Sequence, residues 1–184
     1  MRTDDDGQLL GSDDEVGPPM KPQVREAGLE DLDLLMAWRM EVLREVFDLP
    51  ADQPLDALEE ANRRYYLAAL PTGEHVACFA TLDGRIVGCG GICLQKEMPS
   101  PDNPSGMNGY LMNIYTRPRY RGRGVGEAVV TWLLDRARGL GAEKVYLETS
   151  ADGRHLYERM GFRDLPDYMK LCDTGVRQAS AGAS

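Results

Sequence analysis

The six residues Arg121-Gly122-Arg123-Gly124-Val125-Gly126 hold more potential chemistry than any other short stretch of the sequence. They stand between an apolar β-rich run and a stripe of apolar residues at helical spacing. A strand–turn–helix unit of this kind aims successive backbone N–H groups at one point, at the positive end of a helix. Such a point is an anion site suited to a pyrophosphate. Glycines let a ligand approach the backbone, and Arg121 and Arg123 add charge. Three other readings fail on spacing. A dinucleotide fingerprint needs glycine three residues after Gly124, where Glu127 stands. A P-loop needs Gly-Lys-Ser/Thr, which the turn lacks. A nucleic-acid-binding RGG segment would be repeated, whereas this one is single and flanked by periodic elements. The remaining alternative is a tight turn with solvated arginines.

The elements around the turn must position it. A short strand starts at Val24, and a helix opens at Gly28-Leu29-Glu30-Asp31 with acids in its first turn. Leu32, Leu35, Met36, Met40, Leu43 and Phe47 recur on one helical face. A second helix spans 55–70 and stops at Pro71-Thr72-Gly73. The run 75–82, the turn Asp83-Gly84 and the run 85–94 predict a hairpin. Gly88, Gly90 and Gly91 imply a bulge or a close approach of another element. Residues 95–108, with three prolines, read as a loop long enough to suggest a function. A strand follows over 110–116, then the glycine turn and a helix whose stripe is Val125, Ala128, Val129, Trp132, Leu133, Ala137 and Leu140. A strand over 144–149, a short helix over 154–160 and a last strand over 168–171 complete the series.

Composition sets the frame. The 184 residues suggest one domain able to bury a core without disulfide or metal staples. The four cysteines, Cys78, Cys89, Cys93 and Cys172, make no CxxC, and His75 and His155 are the only histidines, so no metal site is expected. Cys89 and Cys93 share one strand face as small thiols. The net charge is −9, and residues 1–20 hold six acids against Arg2. Residues 1–22 are therefore expected to be an acidic, disordered tail, 23–172 the folded domain and 173–184 a flexible C-terminal tail. An acidic body speaks against nucleic acid and favours a cationic small molecule. The start lacks a secretory pattern and no stretch is long and apolar enough for a membrane span, so a cytoplasmic protein without membrane contact is expected. A homodimer is an open option.

The sequence resembles the GNAT (GCN5-related N-acetyltransferase) superfamily. Arg121 to Gly126 matches its R/Q-x-x-G-x-G/A signature, and Ile114-Tyr115-Thr116-Arg117-Pro118-Arg119-Tyr120-Arg121 is similar to the strand and turn before it. Leu156-Tyr157-Glu158-Arg159-Met160-Gly161-Phe162 is similar to the closing L-Y-x-x-x-G-F. The order of elements fits over about four-fifths of the chain. The resemblance implies an α+β fold: a mixed, mostly antiparallel sheet of six or seven strands with helices on both faces. It implies acetyl-CoA as co-substrate, no metal, and an amine acceptor. The backbone of Ile114 and Thr116 would pair with the pantetheine arm. The N–H groups of Arg121, Gly122, Arg123, Gly124, Val125 and Gly126 would hold the pyrophosphate. Tyr157 would protonate the leaving thiolate.

An amine with a pKa near 10.4 is neutral in only about one molecule in 2500 at pH 7, so a proton acceptor is needed. Glu148 leads, with Glu41 and Glu45 as further candidates. Tyr110 stands where relatives often carry glutamate, and Ser150 where many carry asparagine. Asp152, Arg154 and His155 read first as surface residues. Two other functions fit the same motif: an acetyl-CoA-binding regulatory domain with little catalysis, and an acetyltransferase for protein N-termini or lysines.

Overall fold

The computed structural model describes residues 21–166, Tyr168 and Met169. Apart from Lys21 and Pro22, the two expected tails lie outside the described residues, as does Cys172. The chain falls into two compact units that divide at Thr149/Ser150.

The first unit runs β1 (Gln23–Ala27), a 3-10 turn, α1 (Leu32–Val46), α2 (Asp56–Thr72), β2 (His75–Leu82), β3 (Arg85–Lys96), β4 (Met107–Thr116), a second 3-10 turn (Pro118–Tyr120), α3 (Val125–Gly139) and β5 (Lys144–Leu147). The five strands form one sheet in chain order, antiparallel except for the parallel pair β4/β5. Asp83 and Gly84 have φ of 52° and 72°. Two left-handed residues in a row are what a type I′ hairpin turn demands, which is why Asp-Gly joins β2 to β3.

Alternation along the strands assigns the two faces. Ala77, Phe79, Cys89 and Tyr115 pack with Leu35, Met36, Trp38 and Val42 of α1 and Tyr66 of α2. The Trp38 ring lies 6.0 Å from Phe79 and 6.1 Å from Tyr115. The opposite face carries α3. A Cβ at Gly88 would lie 2.7 Å from Val125 Cγ1, and one at Gly90 2.5 Å from Val129 Cγ1. These glycines let α3 seat directly on β3, the close approach their clustering implied. Val125, Val129, Leu133 and Ala137 are buried there, while Leu140, at the end of the expected stripe, is 46% exposed.

Helices therefore lie on both faces, but the sheet has five strands among the described residues, not six or seven. The last strand was read from 168–171, yet Tyr168 and Met169 are exposed and in no strand, and Lys170 and Leu171 lie outside the described residues. Pro166 brings no N–H to a ladder, and the Tyr168 N–H turns back to the Leu165 carbonyl at 3.5 Å. Arg163 donates to the carbonyls of Phe162 and Glu158, and Asp164 pairs with Arg154 at 2.8 Å.

Smaller corrections have local causes. The helix α2 continues through Pro71 and ends at Gly73, whose φ is 72°. A proline so near the end forfeits one backbone bond only. Strands β3 and β4 extend toward each other and shrink the expected loop to residues 97–106. In the second unit, α4 (Ala151–Arg159) begins three residues earlier than expected, because Ser150 Oγ caps it by accepting the Gly153 N–H at 3.3 Å. No helix among the described residues is long and apolar enough to cross a membrane.

Candidate functional site

The strands β4 and β5 pair from Asn108↔Lys144 to Leu111↔Leu147. Strand β5 ends there, whereas β4 continues to Thr116. From Met112 to Thr116 the β5-facing edge of β4 has no strand partner among the described residues. On its other side β4 stays bonded to β3 through Cys89↔Tyr115 and Gly88↔Thr116. A row of unpaired N–H and C=O groups is a template for an extended, amide-bearing chain.

A bulge marks the start of this open edge. Between the pairs Cys89↔Tyr115 and Gly91↔Met112, Asn113 and Ile114 stand opposite the single residue Gly90. Asn113 adopts φ 56°. Its Oδ1 accepts from Arg39 Nη1 at 2.9 Å, and Arg39 Nε donates to Asn62 Oδ1 at 3.0 Å. Helices α1 and α2 thus pin the kink. The glycines of β3 implied a bulge or a close approach, and the bulge falls opposite Gly90; that the extra residue sits on β4 had one signal, an asparagine, tolerant of the left-handed region, inside a β-rich run.

The chain leaves β4 through the Pro118–Tyr120 turn, whose carbonyl at Pro118 accepts the Arg121 N–H at 3.2 Å. Gly122 and Gly124 follow with φ of 74° and 77°. A Cβ at either position would meet nothing within 4 Å. The first bond closing onto α3 runs from Ala128 N–H to the Gly124 carbonyl at 3.0 Å. The N–H groups of Val125, Gly126 and Glu127 therefore precede any helical acceptor. Glycine here serves the backbone conformation and leaves the space in front of it open.

The motif's arginines do not aim into that space unopposed. Arg121 ion-pairs with Glu45, and its Nε donates to the Thr116 carbonyl at 3.1 Å. Arg123 Nη2 donates to Asp83 Oδ2 at 3.0 Å. One ties the turn to α1 and the other ties it to the β2–β3 hairpin. The positive character of the turn comes chiefly from backbone N–H groups and the start of α3.

Two of the candidate proton acceptors are occupied. Glu41 accepts from Arg117 Nε at 3.0 Å and Nη2 at 2.8 Å, and the same guanidinium lies 4.2 Å from the Trp38 ring centre. Glu45 accepts the Tyr115 hydroxyl at 2.5 Å as well as Arg121. The Tyr115 bond, then Arg121, holds the Glu45 carboxyl below its usual range. Burial and the Glu45 bond push the Tyr115 phenol up. Glu148 differs: it is exposed directly after β5 and has no hydrogen bond or ion pair among the described residues. Tyr110 lies 5.2 Å from Tyr146, centre to centre. Burial, then the charge of Glu148, raises the Tyr110 phenol.

Tyr157 belongs to the second unit. It is buried on α4, its ring 5.7 Å from Phe162, and burial pushes its phenol up to about 12. Arg154 pairs with Asp164 and Glu158, and His155 with Glu158, so these two residues have surface partners of their own. Among the described residues no His/Cys/Asp/Glu group could hold a metal.

A family model, that of the Acetyltransferase (GNAT) family, matches residues 41–162. The chain belongs to this family. It is 30% identical over 143 residues to the glucosamine 6-phosphate N-acetyltransferase of Trypanosoma brucei brucei, covering 78% of this chain and 91% of that protein. It also resembles the solved structure of a predicted acetyltransferase with acetyl-CoA from Clostridium acetobutylicum. That likeness has a TM-score of 0.71 at 25% identity, over 82% of this chain and 96% of the other. Glucosamine-6-phosphate N-acetyltransferase from Arabidopsis thaliana shares the fold, with a TM-score of 0.62 at 22% identity over 84% and 99% of the two chains. This GNAT chain thus joins a group of enzymes that includes N-acetyltransferases of small amines.

Proposed function

We propose that this GNAT protein transfers the acetyl group of acetyl-CoA to the amine of a small molecule. One observation carries the reading: the open edge of β4 leads, through the short Pro118–Tyr120 turn, into a glycine turn with free space before it and unused N–H groups at the start of α3. A long donor with an amide-bearing arm and a pyrophosphate fits that sequence of features. The backbone of Ile114 and Thr116 takes the pantetheine arm, with the Thr116 carbonyl shared with Arg121. The turn from Arg121 to Gly126 takes the pyrophosphate. Because the Arg121 N–H is spent on Pro118, the donors are those from Gly122 onward.

Acetyl-CoA, when bound, supplies an activated thioester. The chain's part is first to hold amine and thioester together, the larger share of the rate. Glu148 receives the amine's proton directly or through water; its freedom from other partners supports it over Glu41 and Glu45. Tyr157 gives a proton to the leaving sulfur. A phenol raised to about 12 stays protonated at neutral pH, as an acid must.

The test is a thermal-shift titration with acetyl-CoA followed by free-thiol release with a panel of small amines. Micromolar binding and amine-dependent thiol release are expected. A flat titration to millimolar acetyl-CoA would overturn the reading.

A further inference from the structure

The bulge of β4 holds a cation with no counter-ion. Arg39 is half-buried on α1, and its two protein bonds go to the amide oxygens of Asn62 and Asn113. Nη2 donates to nothing, and no carboxylate pairs with Arg39, among the described residues. Among the described residues Arg25, Arg117, Arg121, Arg123 and Arg136 of this unit each meet a carboxylate, while Arg85 and Arg119 are exposed to solvent and Arg44 donates to the Pro50 and Gln53 carbonyls. The acid nearest Arg39 along α1, Glu41, is fully engaged by Arg117. An aspartate in place of either asparagine would neutralise Arg39 by exchanging one amide nitrogen for oxygen. The amides orient the guanidinium and leave its charge uncancelled, which for a half-buried cation is costly unless something else supplies the anion.

Position says what that is. Asn113 lies two residues past Leu111, the last β4 residue paired to β5. That is roughly 7 Å along the strand. The guanidinium therefore stands beside the first residues of the open edge, on the α1/α2 face, opposite the face covered by α3. The other charged groups on this face include the pairs Glu41–Arg117, Glu45–Arg121 and Arg25–Asp31, each neutralised within itself, and His75 is kept neutral by burial.

We propose that the acceptor amine carries an oxyanion, a carboxylate or a phosphate monoester, and that Arg39, oriented by Asn62 and Asn113, binds it. This rests on the transferase reading above. It also sets contact chemistry against bulk charge: the acidic composition favours a cation at long range, which salt screens over about 8 Å, whereas a guanidinium fork acts at contact.

The test measures kcat/KM by thiol release for matched amines: free amino acids against their amides, and glucosamine 6-phosphate against glucosamine. Wild type should favour the anionic member of at least one series by about 10- to 100-fold, the range for a charged hydrogen bond. The series that responds tells carboxylate from phosphate. In Arg39→Gln the ratio should fall toward one, and in Arg39→Lys it should survive in part. Asn62→Asp, which keeps Arg39 and supplies the missing carboxylate, should also erase the preference. Acetyl-CoA Kd, measured for each variant, reports that the domain is folded. Equal use of both members by wild type, or a preference intact in both Arg39→Gln and Asn62→Asp, would overturn the proposal and leave the transferase standing. If another amine of the wider panel is acetylated and no member of either series is, this proposal fails and the transferase stands; if acetyl-CoA binds and no amine of the whole panel is acetylated, both fail.

Discussion

The two ends of β4 are built on opposite plans. The loop leading in, residues 97–106, is filled by its own polar groups. Asn103 is fully buried and donates to Asn108 Oδ1 at 2.7 Å and Glu97 Oε1 at 3.2 Å. Ser105 Oγ donates to the Gly141 carbonyl at 3.0 Å, and the Ser105 N–H to Glu143 at 2.8 Å. Gly106 has φ 68°, and a Cβ there would lie 2.4 Å from the Glu97 carbonyl oxygen. The turn leading out has glycines of nearly the same φ, but nothing lies before them and the N–H groups that follow have no helical acceptor. Length and proline content drew attention to the first loop. What separates a binding turn from a structural loop is whether its donors are already spent.

The strongest way to break this contrast is Gly124→Asp. Aspartate tolerates the left-handed region better than most residues, so the domain should lose only ~1 kcal/mol. Its carboxylate would stand in the open space and oppose the anion. The Kd for acetyl-CoA should rise more than about 1000-fold, or roughly 4 kcal/mol. Calorimetric titration checks this, and undiminished binding would place the donor elsewhere.

Tyr157→Phe separates chemistry from holding. The variant should lower kcat by roughly 10- to 1000-fold with a smaller effect on acetyl-CoA affinity, because the hydroxyl acts only as charge develops on sulfur. The defect should shrink with a thioester whose thiol is more acidic. Wild-type turnover by the variant with a good acceptor would reduce Tyr157 to a packing residue.

At the other end of β4, Gly106→Ala should act on stability alone. Left-handed strain costs about 1–3 kcal/mol, and the contact with the Glu97 carbonyl adds to it. The melting temperature should fall by at least roughly 4 °C, with the acetyl-CoA Kd within about twofold of wild type, since no donor of the outgoing turn is touched. A binding defect as large as that of Gly124→Asp would show that the two ends are not separate.

What was legible in the sequence was local. Asp83-Gly84 forces its turn within two residues, and Arg121 to Gly126 carries both its left-handed positions and its helix start in one hexapeptide. The apolar stripe of α3 was readable for the same reason. The bulge at Asn113 was not, because what holds it are Arg39 and Asn62, on two helices far away in sequence. The pairing of Arg121 with Glu45 spans 76 residues, so a motif arginine and a candidate base removed each other from consideration in a way no spacing rule reveals. The closed state of the 97–106 loop likewise depends on Glu143 and Gly141 across the sheet edge.

The finest test concerns Arg123. If the backbone supplies the anion site, Arg123→Ala should change acetyl-CoA affinity by less than about threefold, because Asp83 already opposes the guanidinium. Both partners are about half exposed, so the pair should add no more than ~0.5 kcal/mol to stability. Asp83→Asn supplies the complementary measurement. Releasing Arg123 from its carboxylate should tighten acetyl-CoA slightly and steepen the salt dependence of binding, since an unpaired cation then faces the phosphates. A loss beyond about thirtyfold in Arg123→Ala, with no gain in Asp83→Asn, would mean that Arg123 leaves Asp83 to grip the phosphate whenever donor is present. The glycine turn would then be a hinge for an arginine clamp, and the contrast between the two ends of β4 would rest on side-chain movement rather than on unspent backbone donors.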